Sequence, residues 1–454
     1  MKADLTRDTF DPRKHFTRVL MQQGRVQLDA DWNEQSSIVL HYLRTLAADL
    51  IGPHGGPGDS FLIGEQKGTD GKPIQYDFSI HRGHYYIDGV LCDNGSASNT
   101  DALDYAKQPG RVDLKPKTSG EIGYLVYLDA WERLITFAED DEIREKALQG
   151  PDTAARAQVV WQVRVLQLGA DDPEPDADTF LGEQRPRVGK ATLRARAILD
   201  QTEDEPCSMS PDSRYRGPEN QLYRVEIHTG SENGPPTFKW SRDNGSAVFP
   251  IRTLQGNVVT LESLGRDQRL SLRPDDWVEI VDDSTTLHDS AGVLAQVKQV
   301  ERMDMTVVLQ HLGSSAELEY DETSTTRPLL RRWDYKKGDP DRGGAKLAKD
   351  NALLVREDDW ITLEDGVQIK FDADPKTVKD KNQPAATTGP GWYRAGDYWM
   401  IPARVATGDV EWPGPPGLPD PLPPHGVAHY VAPLATIRFA ANGDPTITPL
   451  RKTI

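Results

Sequence analysis

A chain of 454 residues exceeds the ~250–300 residues that one hydrophobic core usually serves, so several packed units are expected. Its 53 basic and 71 acidic side chains leave a formal charge of −18, which repels phosphate backbones and anionic lipid and argues against nucleic acid and membrane surfaces as partners. With 38 glycines and 33 prolines, turns recur often enough to serve many short strands.

The first residues, MKADLTRDTFDPRKH, lack the apolar core of a signal peptide, and no run approaches the ~18 apolar residues of a membrane span. Cytoplasmic synthesis without membrane insertion is the expectation. Cys92 and Cys207 are far apart and form no CxxC, so two unpaired thiols are expected in a reducing compartment.

Residues 1–51 read as an N-terminal arm and an amphipathic helix. In NEQSSIVLHYLRTLAADLIG, Val39, Leu43, Leu46 and Leu50 recur at spacings of four, three and four, widened by Ile38 and Tyr42. Gly52 and Pro53 end the pattern. The preceding Asp29, Asp31 and Asn33 imitate the start of a calcium loop. The sixth and twelfth positions of such a loop need Gly and Glu, and here hold Glu34 and Leu40. Asp31-x-x-Glu34 instead reads as a capping box, with Asp31 at the N-cap and Glu34 reaching back. Two readings of the apolar stripe stand. It docks on this chain's β regions, the ordinary case, or it packs against copies of itself or a partner as a short coiled coil.

Residues 52–205 read as an α+β region. YDFSIHRGHYYIDGVLC suggests a hairpin about His81-Arg82-Gly83, and GYLVYLDAW an apolar strand. DDEIREKALQGPDTAARAQ suggests a short helix with a stop at Gly150 and a restart at Pro151. QVVWQVRVLQL places Val159, Trp161, Val163 and Val165 on one face of a strand, and acidic residues 170–178 read as a loop.

Residues 206–325 read as a small barrel or sandwich. Successive short strands include QLYRVEIHTG, and TFKWSRDNGSAVFPI suggests a hairpin about Asn244-Gly245. Residues 326–454 read as a C-terminal β domain. WITLEDGVQIKF is a hairpin about Asp365-Gly366, GDYWMIPARV and HYVAPLATIRF are strands, and WPGPPGLPDPLPPHG is a surface loop braced by proline. The fold class is therefore mainly β and multidomain, with an N-terminal helix.

Motifs that carry chemistry are scarce. No P-loop, GxSxG, HExxH or GxGxxG pattern falls in a usable setting, and no cofactor is implied. His425 and His429 would stand about 13 Å apart on an extended strand, too far for one zinc ion. His81 and His84 supply only two ligands, so these histidines read as framework residues. Trp392, Tyr393, Tyr398, Trp399 and Trp412 cluster near the proline loop. They serve a β core, or form a stacking platform for sugars.

RDTFDPRKHFTRVLMQQGRVQLDADWNEQ, YYIDGVLC, YLVYLDAWER, LYRVEIHTG with TFKWSRDNG, and GDYWMIPAR resemble successive signatures of an uncharacterised bacterial family. Members of that family tend to be encoded beside contractile phage-tail-like particles, the extracellular injection systems. GRVQLDADWNEQ and GHYYIDGVL also resemble segments of phage fibre and baseplate proteins. The resemblance implies a non-enzymatic structural component of such a particle, in the baseplate, spike or fibre attachment. Its partners would be other particle proteins or further copies of itself, and it would be carried in the assembled particle after cytoplasmic synthesis. The alternative is a carbohydrate-binding or carbohydrate-cleaving surface protein that uses the C-terminal aromatic cluster.

Overall fold

The structure, a computed structural model, describes residues 1–95, 102–115, 122–148, 150, 152–168, 189–198, 214–232, 234–265, 269–288, 290–311, 319–321, 326–338, 343–373, 392–415 and 417–454. The chain is mainly β and divides into two compact units. One comprises Met1–Asp8, Leu134–Arg156 and Val188–Val427; the other comprises Thr9–Arg133, Ala157–Arg187 and Ala428–Ile454. Each unit draws together segments distant in sequence.

The unit that begins at Thr9 carries the long helix α1, Asp29–Ile51. Gly52 stops it, with φ +89° and an N–H donated to the Ala48 carbonyl at 2.8 Å. Ala30 and Ile38 are buried, and Arg44 grips Glu132 through two bonds of 2.8 and 3.2 Å. A four-stranded sheet runs in the order Pro445–Pro449, His429–Phe439, Ile122–Ile135, Arg156–Leu168. One face of its central strands supplies Val126, Leu128, Leu434 and Ile437 to a core with Phe61, Phe78 and Tyr85. Val163 is buried in that core, and Val159, Trp161 and Val165 pack against it.

The expected hairpin about His81–Gly83 is not formed. Ser79–Ile80 pairs with Ile63–Gly64 and Leu103–Asp104, whereas His84–Ile87 pairs with His54–Gly55 and Val90–Asp93. The tight turn lies at Asp88-Gly89, with φ of +47° and +77°, the left-handed pair that an Asp-Gly hairpin uses. Gly89 is needed twice over. Besides its positive φ, a Cβ there would stand 2.0 Å from the Arg44 carbonyl oxygen of α1. Gly89→Ala should therefore cost at least ~2 kcal/mol, as a left-handed Ala must also push the helix off the sheet. Urea denaturation followed by helix circular dichroism measures it.

In the other unit, residues 248–333 include a closed six-stranded barrel. Its order is Val248–Gln255, Val258–Leu261, Thr306–Gln310, Val293–Glu301, Trp277–Val281, Leu329–Trp333. Closure thus takes a strand from beyond residue 325. Beside it in the same unit, a five-stranded sheet runs Leu353–Leu354, Thr237–Ser241, Gln221–Thr229, Tyr398–Arg404, Asp409–Val410. The Asp365-Gly366 hairpin forms, with Ile361 opposite Ile369, and Leu193–Ala197 extends it to three strands.

The turn at Asn244-Gly245 has the expected left-handed φ values of +53° and +67°, but its flanking strands do not pair. Thr237–Ser241 joins the five-stranded sheet and Val248–Gln255 the barrel. Tertiary bonds hold this turn. Buried Asn244 donates Nδ2 to the carbonyls of Met1 and Ala3 at 3.0 and 2.8 Å, while its Oδ1 accepts from Arg224. The expected helix near residues 140–150 is only two single 3-10 turns, Asp141–Ile143 and Lys146–Leu148. Pro151, Cys207 and residues 170–178 lie outside the described residues. Cys92 is buried with a free thiol, pushed up to about 12 by burial and the nearby Asp129 carboxylate.

Candidate interaction surface

Twelve of the 25 large apolar side chains exposed among the described residues fall within residues 16–50, a concentration that makes the arm and α1 the first place to look for a partner. The arm runs without regular structure from the 3-10 turn Pro12–Lys14 to the helix, and leaves Phe16, Leu20, Met21, Val26 and Leu28 exposed. It is tied to α1 by polar bonds. Thr9 donates to Glu34 at 2.7 Å, and the Val19 N–H donates to the Gln35 side-chain Oε1 at 2.8 Å. A cavity of about 220 Å³ lies between arm and helix, lined by Phe10, Phe16, Glu34, Ile38, His41 and Tyr42 among others.

The cap differs from the expected one by a register shift. The helix starts at Asp29 with Leu28 in the N-cap position, so Asp31 is the third helical residue. Its carboxylate reaches back to the Leu28 N–H at 3.4 Å, the role expected of Glu34. Glu34 is drawn instead to Thr9. The physical reason is that Asp29 and Ala30 already adopt helical backbone, with Ala30 buried, so the start is set by packing as well as by the local cap.

The stripe faces outward. Val39, Leu43, Leu46 and Leu50 are all exposed, Leu50 at 78%, and Trp32 one heptad before Val39 is 66% exposed. Intramolecular docking, the ordinary expectation, uses a different face: Ala30 and Ile38 are buried, and Arg44 pairs with Glu132. Sequence reasoning missed Trp32, although its seven-residue spacing from Val39 carries the same period.

The C-terminal aromatic cluster turns inward. Tyr393, Tyr398 and Trp399 are buried, and Trp392 and Trp412 pack partly buried against the same core. Their polar tips hold the chain together. Trp399 Nε1 donates to the Leu422 carbonyl at 3.0 Å, Trp412 Nε1 to that of Asp420 at 2.9 Å, and the Tyr393 hydroxyl to Glu357 at 3.2 Å. Trp399 and Trp412 therefore pin the proline loop, and the five residues do not form an open stacking platform.

Three of the four histidines weighed above are engaged with neighbouring rings or carboxylates. His425 stacks on Tyr398 with ring centres 5.4 Å apart. His429 bonds Asp129 at 2.9 Å and stacks on Trp131. His84 sits edge-on to Tyr86. Among the described residues no group of three or more His, Cys, Asp or Glu is placed to hold a metal ion.

A charged network that the sequence did not reveal lies between the five-stranded sheet and the barrel strands of one unit. On Gln221–Thr229, Tyr223, Val225 and Ile227 enter the apolar core, and the alternate residues Arg224, Glu226 and His228 are buried on the other face. Glu226 stands opposite Lys239 on the neighbouring strand. Lys239 Nζ lies 2.6 Å from Glu279 and 3.4 Å from Glu226; Arg224 and Lys2 reach Glu226 at 2.6 and 3.0 Å. Glu279 also accepts from Trp333 Nε1 and from the Gly292 N–H, each at 2.9 Å.

Burial opposes ionisation of both carboxyls, and the cations overcome it. Lys2, Arg224 and Lys239 hold Glu226 well below the usual range, and Lys239 leads in holding Glu279 at about 2. Burial and the Lys239 charge lower His228 to about 4. Each charge meets its opposite within the network, so the arrangement stabilises a sheet-to-barrel junction and holds no group poised for proton transfer. The alternating Arg224, Glu226 and His228 were legible, but alternation does not say that the polar face is the inner one.

No helix among the described residues is long and apolar enough to cross a membrane. No curated protein and no solved structure matches the chain. The family of unknown function DUF6519 matches it over residues 1–179 and 181–436, nearly its whole length. The chain therefore belongs to the DUF6519 family.

Proposed function

We propose that this protein is a non-enzymatic structural component of a phage-tail-like contractile particle, attached to other particle proteins or to further copies of itself through its arm and α1. The observation that carries the reading is the apolar surface gathered on residues 16–50. The particle setting rests on the sequence signatures given above. The inward-facing tryptophans remove the support for the carbohydrate alternative.

Deleting residues 1–51 would be a poor test, because Lys2 belongs to the buried network and Ile38 and Arg44 anchor α1. Point charges on the exposed stripe are cleaner. Wild-type protein should co-sediment with sheath-bearing particles from cells expressing the full particle gene set, and Leu43→Glu/Leu46→Glu should drop incorporation at least tenfold. Wild type confined to the soluble fraction, or full incorporation of the double variant, refutes the proposal.

A further inference from the structure

We infer that the exposed seam of α1 binds a second copy of this chain, as an antiparallel two-helix pair about a twofold axis. This deepens the attachment reading above by naming the partner of that same face. The seam is Trp32, Ser36, Val39, Leu43, Leu46 and Leu50, an alternation of four and three residues that keeps a line of contact along a supercoiled partner. It is separate from the face that holds the helix in its own unit, which Ala30, Ile38 and Arg44 provide.

Area and charge point to another α1. With flanking Leu40 and Tyr42, the exposed seam offers on the order of 400–800 Å² of apolar surface, taking ~60–120 Å² for each of seven side chains. The non-polar share of one face of a standard ~800 Å² interface is about 450 Å². The positions bordering the seam hold Asn33, Gln35, Leu40, Tyr42, Ala47 and Asp49, so two copies meet with a single charge each.

Side-chain size decides the direction. In an antiparallel pair centred between Val39 and Leu43, Trp32 covers the second copy's Leu50, small Ser36 receives its Leu46, and Val39 meets its Leu43. A parallel pair in register would set Ser36 against Ser36 and Trp32 against Trp32, underfilling one layer and overfilling another. Flanking positions of an antiparallel pair meet those of the same edge across the twofold, so Leu40 faces Leu40 and Asp49 lies beside Gln35 of the second copy, with no like charge opposite. The twofold arrangement closes on itself and leaves no free seam.

The test is sedimentation velocity of the full chain between roughly 1 and 50 µM, the micromolar range in which a modest interface declares itself. Wild type should sediment as a dimer of twice the 50.5 kDa chain. Leu43→Glu should weaken the dimer by at least about 100-fold, since the symmetry buries two unpaired carboxylates per complex. Should that variant lose helical circular dichroism, Leu50→Glu at the most exposed seam position replaces it. Mild oxidation of Leu40→Cys should cross-link the dimer through residue 40 of both copies, which face each other across an antiparallel seam and lie on opposite sides of a parallel one.

A wild-type monomer throughout the range overturns the inference, as does a dimer indifferent to both seam variants. A Leu40→Cys dimer that forms no such disulfide overturns the antiparallel direction. Particle incorporation separates the two readings: a monomer that still enters particles sinks the pairing alone, and a dimer that never enters them sinks the particle role alone.

Discussion

Replacing Lys239 by methionine is expected to remove about 3–5 kcal/mol of stability from the unit that contains the barrel. The ammonium sits between Glu279 and Glu226, over the Trp333 ring at 4.6 Å, with its side chain 2% exposed. Methionine keeps the volume and removes the charge, so Glu279 is left buried with His228 as its nearest basic neighbour. Adding Glu279→Leu should restore part of the loss, because Glu226 keeps Lys2 and Arg224. Hydrogen exchange at Trp277–Val281 reports this unit alone. A loss below ~1 kcal/mol would mean that water reaches the network.

The same groups set an acid limb. Glu279 is held at about 2 in the folded chain against an ordinary 4.5, so its contribution is fully present above about 4.5 and fades as pH falls toward 2. His228 is held at about 4 against 6.5, so the unfolded chain gains its proton first and stability also falls as pH drops through that window. Acidification from pH 6.5 therefore weakens this network's contribution throughout. In Lys239→Met the slope should be shallower, since the charge that depresses both groups is gone. Exchange rates at pH 6.5, 5 and 4 in both proteins measure the difference.

Trp399→Ala is expected to cost about 3–5 kcal/mol and to expose the proline loop to protease. The indole is 1% exposed, meets Phe371 edge-on at 5.8 Å, and holds the Leu422 carbonyl. Leu422 in turn bridges Leu193, so one ring ties the loop to the three-stranded sheet of its unit. Phenylalanine at 399 would keep most of the packing but lose the N–H, and should cut the loop free at a smaller cost of about 1 kcal/mol. Limited proteolysis alongside thermal unfolding separates these effects. Unchanged digestion in both variants would show that the proline segment stands without the ring.

Particular elements show how far local pattern reached. Helix α1 and its Gly52 stop were legible because period and cap act within one or two turns. The Asp365-Gly366 hairpin was legible because its strands are neighbours. Asn244-Gly245 took the expected backbone and still joined two sheets, since pairing is decided by what Thr237–Ser241 and Val248–Gln255 meet elsewhere. The interaction surface was half legible. Its spacing was plain, but only burial shows that the helix holds its unit by Ile38 and leaves Leu43 and Leu46 in solvent.

The amino-acid order alone determined the β-rich class, the helix and the turns at Asn244-Gly245 and Asp365-Gly366, because these follow from forces between residues a few positions apart. Tertiary packing decided the barrel's closing strand, the inward-facing charges opposite Lys239, the buried C-terminal aromatics and the outward seam of α1. Each of these depends on which distant segments exclude water together, and periodicity along one strand or helix does not specify its far partner.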